Sequence, residues 1–354
     1  MSTKNQYISA LLSILSHRTF LLIICLQGYA LTASSDVKLE LRSKAFVVSP
    51  ESLPTRISHA VTLTEVKPGL LMAAWYGGNQ QGSGDVRIWG AHYENGQWQE
   101  PVQLTYNAPN HLPDPHWDPV LFNDDSLLRL HYKVGHSPRE WQGFHISSSD
   151  DGQTWSSAKP EPEGFWGPIR NTPIKLSDNN VLYPSSTEFH GWQIHFELET
   201  NKKRLYIPVE DPHMLGAIQP ALLTHPDGQL QALCRTHSGV IAETWSHDNG
   251  LNWSPLQTTQ LPNPSSAISA ITLRNGIHLL VYNPVPAGRT PLVIALSNDG
   301  KQWRQAMILE DTDGEYSYPS IIEGSDNTIH IAYTWQRRAI RHVQLKIKDR
   351  VMIE

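Results

Sequence analysis

The chain has 354 residues, 39% apolar and 18% charged, with 25 Pro, 23 Gly and 12 Trp, a turn-rich composition suited to short strands in a globular protein rather than to a disordered one. Its 28 basic residues against 34 acidic ones give a formal net charge of −6, and no Lys/Arg run or basic stripe appears, so nucleic acid is not an expected partner.

At the N-terminus, Lys4, His17 and Arg18 precede the apolar run Thr19 to Leu26, and small-residue sites follow at Ala30 and Ala33. Residues 1–33 therefore read as a signal peptide. Neither this run nor the apolar stretch Tyr7 to Leu15 reaches the ~20 residues that cross a bilayer, so an uncleaved leader is the only membrane contact to expect. The folded part, residues 36–354, is expected in the periplasm or secreted. Without the leader Cys234 is the single cysteine, which rules out an internal disulfide and suits a buried small hydrophobe.

A short motif then recurs. Ser148-x-Asp150-x-Gly152-x-x-Trp155 matches Ser246-x-Asp248-x-Gly250-x-x-Trp253, Ser297-x-Asp299-Gly300-x-x-Trp303 is one residue shorter, and Glu94-Asn-Gly96-Gln-Trp98 is degenerate. The tryptophans at 98, 155, 253 and 303 leave intervals of 57, 98 and 50, and the double interval implies a copy near 200 to 205, where Glu199 to Lys203 reads as a hairpin turn. A sixth unit ends near His342 to Lys348. Leu70–Trp75, Leu127–Tyr132, Leu230–Cys234, His278–Tyr282 and Thr328–Tyr333 are short β-rich runs bounded by turn residues. A period of about fifty with several strands per unit predicts an all-β, six-bladed β-propeller, with Lys38 to Val48 completing the last blade so that the ring has no free edge. The motif Asp accepts bonds from turn amides, Gly takes the left-handed position and Trp packs back on the blade, so these residues read as structural.

With this repeat the chain resembles the Asp-box (BNR-repeat) sialidase superfamily, in its bacterial sialidase-like branch, over roughly Arg56 to His342. The resemblance implies an arginine triad that clamps a substrate carboxylate, and the matching positions are Arg56 in Thr55-Arg56-Ile57, Arg235 after Leu230–Cys234, and Arg289 before the last motif. It implies a tyrosine nucleophile at Tyr318 or Tyr316 and an acid/base at Asp85. The family's Glu, sixteen residues before the second arginine, is here Gln219, and an amide cannot take a proton from a phenol. Glu188, Glu243 and Glu315 are the acids that could substitute.

An arginine cluster fits an acidic sugar because guanidinium stays charged and presents paired donors in a plane. Where the carboxylate sits on the anomeric carbon, a neutral tyrosine avoids the repulsion an anionic nucleophile would meet. The resemblance thus implies an exo-glycosidase releasing a terminal acidic sugar (sialic acid, Kdo or a related ulosonic acid) from an acidic glycan or oligosaccharide. A second polar set, His131, Lys133 and Arg139 with Arg170 in the next blade, offers an alternative: these residues line the central face and act on a uronate- or rhamnose-containing polysaccharide by hydrolysis or elimination. A glycan-binding propeller that kept the clamp and lost turnover is the third reading, favoured by Gln219. Histidine spacing shows no metal-binding pair, and neither a metal nor another cofactor is expected. N-terminal sequencing of the exported product should read from near Leu31 or Ser34; a membrane-bound product retaining Met1 would overturn the leader assignment.

Overall fold

The computed structural model describes residues 37–106, 114–124 and 127–348. The chain divides into two units, Met1–Asp36 and Val37–Glu354; the first, with the expected leader, lies outside the described residues. Among the described residues of the second are six antiparallel sheets, arranged as a six-bladed β-propeller. Blade 1 comprises Ile57–Lys67, Leu70–Gly78 and Arg87–Glu94, with outer pieces Gln97–Trp98 and Val102–Gln103. Blade 2 runs through His116–Asn123, Leu128–Val134, Gln142–Ser148 and Lys159–Pro160. Blade 3 contains Ile174–Lys175, Val181–Thr187, Gln193–Glu199 and Arg204–Pro208. Ala217–Thr224, Leu230–Thr236, Val240–Ser246 and Gln257–Pro262 make blade 4. Ser269–Thr272, His278–Tyr282, Leu292–Ser297 and Arg304–Glu310 make blade 5. In blade 6, Tyr316–Glu323, Ile329–Trp335 and Ala339–Lys348 are joined by the N-terminal strand Lys38–Phe46, which pairs Lys38 with Lys348 and Phe46 with Arg341. The expected ring closure is thus present.

First strands pack against one another between blades 1 and 2, 1 and 6, 4 and 5, and 5 and 6, while blade 3 meets the first strand of blade 4 through its own second strand Val181–Thr187. Between blades lies the core: Met72 and Tyr76 with Leu121 and Tyr132 join blades 1 and 2, and Leu198 with Leu222 and Cys234 joins 3 and 4. Antiparallel order puts the start of every first strand on one face and the turn after every third strand on the other. The Ser-Asp turns follow third strands, so they sit opposite the face where first strands begin. There each aspartate is saturated locally: Asp248 Oδ1 accepts from Ser246 Oγ at 2.9 Å and from Asn252 N at 2.9 Å, and Asp299 Oδ1 accepts from Lys301 N and Gln302 N at 2.8 and 2.7 Å. Trp253 stacks on Phe196 of the preceding blade at 3.9 Å. These residues therefore bind turn to strand and blade to blade.

At Gly300 both requirements of the motif meet. Its φ is +69°, and a Cβ would lie 2.0 Å from Gln231 Oε1 of the preceding blade, whose amide donates to the Gly300 carbonyl at 2.8 Å. Gly300→Ala should cost about 1–3 kcal/mol, read as a lowered urea midpoint; an unchanged midpoint would show that the turn does not anchor the blade. Buried histidines set a pH dependence. Burial pushes the imidazoles of His116 and His342 down to about 3 and those of His278 and His330 down to about 4. Because the folded values lie below the unfolded ~6.5, the stability they contribute is complete above that pH and is lost as pH falls from it toward 4. The loss should be about 1.4 kcal/mol per pH unit for each such histidine. Denaturant titrations at pH 7 and pH 5 measure this, and His342→Gln should flatten the slope; equal stability at both pH values would contradict it.

Candidate functional site

The face where first strands begin carries a repeated backbone feature. Once per blade a residue at the head of the first strand has positive φ: Ala60 (58°), Asp118 (40°), Arg170 (70°), Gln219 (59°), Ser265 (58°) and Tyr318 (53°). In blades 1, 2, 4 and 6 the strand register shifts there, between His59 and Thr62, Trp117 and Val120, Ile218 and Ala221, and Ser317 and Ser320. Left-handed backbone at a residue with a Cβ costs of order 1–3 kcal/mol and persists only where its surroundings over-determine it. In three blades the next residue is proline (Pro119, Pro220, Pro319), which gives up no ladder donor because it has none.

Tyr318 is the centre of this face. Guanidinium carbons from three blades lie near its ring centroid: Arg170 at 5.2 Å, Arg289 at 5.4 Å and Arg235 at 6.0 Å. Arg235 Nη1 donates to the Tyr318 hydroxyl and to Gln219 Oε1, each at 3.2 Å, and its guanidinium lies 4.8 Å over the ring of Trp192. Arg289 and Arg337 hold the two oxygens of Glu315 at 2.7 and 2.8 Å. Arg170 differs, being buried and donating to the carbonyls of Val61 and Pro319 at 3.2 and 3.1 Å. It is a fixed charge beneath the tyrosine, whereas Arg235, Arg289 and Arg337 retain donors for a ligand.

Electrostatics separate the acids. Burial raises the Asp118 carboxyl above its ordinary value against the pull of Arg170, Lys133 and Arg235. Burial likewise raises Glu188, opposed by a bond from Trp192 and assisted by the Asp118 charge. Both can keep a proton where a solvent-exposed carboxyl would have lost it. Glu315 goes the other way: burial pushes it up, but the bonds and charges of Arg337 and Arg289 bring it below its ordinary value. His59, against Tyr318 with ring centroids 4.2 Å apart, is driven well below its ordinary value by burial and then by Arg337, Arg289, Arg170 and Arg235, so it is a neutral imidazole.

Of the residues picked out from sequence, the structure brings Arg235, Arg289, Arg170, Gln219 and Tyr318 together. Others lie elsewhere. Arg56 is exposed at the head of blade 1, and no contact ties it to Tyr318 among the described residues; Arg337 stands beside Glu315 and Arg289 instead. Tyr316 is a core residue whose hydroxyl bonds Thr312 at 2.8 Å. Asp85 is an exposed turn residue accepting from Asn79 N at 2.9 Å and from Ser83; these bonds outweigh the upward push of burial and hold it below its ordinary value, which suits it poorly to donating a proton. Arg139 is exposed near Glu188.

His131 and Lys133 do not line the central face. They are buried between blades 2 and 3, with Lys133 donating to the Pro168 carbonyl at 2.9 Å and His131 Nδ1 against Glu161 Oε1 at 2.8 Å. His145 reaches the same oxygen at 3.1 Å and Arg204 the other at 2.6 Å. The ligand atoms of His131, His145 and Glu161 lie within 4.8 Å of one another and could hold a metal ion, but Arg204 already compensates the carboxylate, and the cluster as built is a charge network. Glu243 is also remote, bonded to Gln231 near the turn face. Sequence reasoning missed Asp118, His59 and Arg337. Asp118-Pro119, Gln219-Pro220 and Tyr318-Pro319 recur at intervals of 101 and 99 (219 − 118 and 318 − 219), two blades apart, and that spacing was the available signal for Asp118.

The six-bladed propeller fold is shared with solved sialidase structures. Residues 69–331 match the family described as BNR repeat-like domain, and the chain belongs to that family. It is 25% identical over 242 residues to a protein from Macrobdella decora named anhydrosialidase, covering 58% of this chain and 31% of that one, so the chain spans about a third of the length of that relative. Among solved structures it is similar to the Hadza microbial sialidase Hz136, with TM-score 0.71, 15% identity and coverage of 86% and 68% of the two chains. It is also similar to the intramolecular trans-sialidase from Ruminococcus gnavus, with TM-score 0.67, 13% identity and coverage of 84% and 95%.

Proposed function

We propose that the chain is a glycoside hydrolase of sialidase type that removes a terminal acidic sugar, a sialic acid, Kdo or related ulosonic acid, from a glycan outside the cytoplasm. The observation that carries this is the convergence on Tyr318 of arginines from three blades, 5.2 to 6.0 Å from its ring. Like charges gathered at this density are stabilised by an anion, and planar paired donors favour a carboxylate. The names of the similar proteins, anhydrosialidase, sialidase and trans-sialidase, support the same substrate class.

In this mechanism Arg235, Arg289 and Arg337 take the sugar carboxylate, displacing Glu315 in part. Tyr318 attacks the anomeric carbon and gives up its phenol proton to solvent water, the C–O bond to the leaving group breaks, and a raised carboxyl, Asp118 or Glu188, protonates the departing oxygen. Water then cleaves the tyrosyl-sugar bond, its proton returning to the same carboxylate while the phenolate of Tyr318 recovers its proton from solvent. Gln219 cannot accept the phenol proton, and its place beside Arg235 favours a second reading, a glycan-binding propeller without turnover.

Binding and turnover measured separately on sialyl, Kdo and uronyl glycosides decide between these. Loss of one charge-assisted contact is worth roughly 1.5–3 kcal/mol, so Arg235→Ala should weaken binding by about ten- to hundredfold. Tyr318→Phe should abolish sugar release with binding largely kept; unchanged turnover in that variant would exclude the tyrosine as nucleophile. Binding without sugar release in the wild type would establish the second reading. In that case Gln219→Glu, which restores a carboxylate 16 positions before Arg235, is expected to gain turnover at some cost in affinity.

A further inference from the structure

On the face that bears Tyr318, a cavity of about 500 Å³ lies between blades 2 and 3, a volume in the range of small-ligand sites. Trp141, Phe165, Trp166 and Phe189 form its aromatic walls, and Glu140 and Glu163 stand exposed beside them. No Lys or Arg lines it. Two of its walls continue directly into the arginine site: Phe189 follows Glu188, whose partner Trp192 carries Arg235 on its ring, and Glu140 follows Arg139, which acts on Glu188. A ligand held at Tyr318 and extending outward over this loop would therefore enter the cavity.

The aromatic surface is preset. Trp166 is pinned by its amide, which donates to Glu197 Oε1 at 2.7 Å, and by an edge contact with His195. Phe189 faces it with ring centroids 5.7 Å apart and is 41% exposed, which leaves apolar surface in water. Trp141 is buried, and its indole N–H has no acceptor among the described residues. Apolar ring faces and exposed carboxylates, with no Lys or Arg in the lining, suit the C–H face and hydroxyls of an uncharged sugar and disfavour a second anion.

We propose that this cavity is the subsite for the uncharged sugar unit joined to the acidic one. The proposal rests on the acidic-sugar reading of the arginine site. Two titrations test them apart, followed by tryptophan fluorescence and by calorimetry, on wild type and on Phe189→Ala, a substitution at an exposed position. Lactose and methyl α-L-rhamnoside, which carry no charge, should give a saturable response in wild type that weakens roughly three- to tenfold in Phe189→Ala. 3′-Sialyllactose should bind wild type more tightly than free N-acetylneuraminic acid, and Phe189→Ala should erase most of that difference while leaving the monosaccharide unchanged. No response to either neutral sugar, or equal losses for trisaccharide and monosaccharide in Phe189→Ala, overturns the cavity assignment. A neutral-sugar response with no binding of N-acetylneuraminic acid, Kdo or glucuronic acid overturns the link to the arginine site and, separately, the acidic-sugar reading.

Discussion

Each first strand of the ring has one edge paired within its blade and one edge facing the axis, and the amides on that inner edge need acceptors that no strand supplies. The protein meets this with hydroxyls from neighbouring blades. Leu63 N donates to Ser320 Oγ at 3.0 Å, Leu121 N to Thr62 Oγ1 at 3.1 Å, and Gln219 N to Ser186 Oγ at 3.3 Å. The register shift at the head of the strand belongs to the same solution: a bulged residue steps out of the ladder, and a following proline removes the donor that would otherwise be orphaned. Blade-to-blade bonding and the outward turn of Asp118, Gln219 and Tyr318 are thus one arrangement. A substitution that straightened a bulge would disturb the ring as well as the site.

The second consequence is electrostatic. Arg170, Arg235, Arg289 and Arg337 all act on His59, and that much positive charge in a partly buried pocket is costly unless compensated. Glu315 compensates Arg289 and Arg337, while Asp118 and two backbone carbonyls compensate Arg170. Among the described residues the hydrogen-bond partners of Arg235 are neutral, an amide oxygen and a phenol, over an indole ring, and the carboxyls of Asp118 and Glu188 act on it without a bond. The field is therefore left least satisfied at Arg235. Its position is fixed by packing on Trp192, which itself stacks on His237 at 3.6 Å, so an incoming anion meets an oriented charge rather than one it must order.

Much of the architecture was legible because it rests on local chemistry repeated at a fixed period. The tryptophan intervals gave six blades, and a β-rich N-terminal segment gave the closure. The site was legible only where it coincided with a family pattern. Tyr316 and Tyr318 are two apart, and in a regular strand both would face the same side; the positive φ at Tyr318 sends that ring to the pocket while Tyr316 stays in the core. No alternation rule predicts this, since it depends on a bulge. His131 and Lys133 looked like site residues because polar groups cluster there, yet their partners, Glu161 and the Pro168 carbonyl, come from 30 and 35 positions away and bury them. Arg337 was missed for the opposite reason: it sits in the three-residue turn 336–338 between Trp335 and Ala339, and only the fold places it against Glu315.

The amide at Gln219 links these considerations. A carboxylate at that position would lie about 3 Å from Arg235 Nη1, neutralise the least compensated cation of the pocket, and offer a base for the phenol. The amide forgoes the base and leaves Arg235 fully charged toward a ligand. It also changes what must carry the proton traffic. With Gln219 inert and Glu315 held below its ordinary value by two arginines, the groups able to hold and release a proton near Arg235 are Asp118 and Glu188, both raised by burial and Glu188 also by the charge of Asp118. The carboxyls raised in this pocket are thus Asp118 and Glu188, whereas Asp85, in the first-blade turn, is held below its ordinary value by the bonds of its own loop.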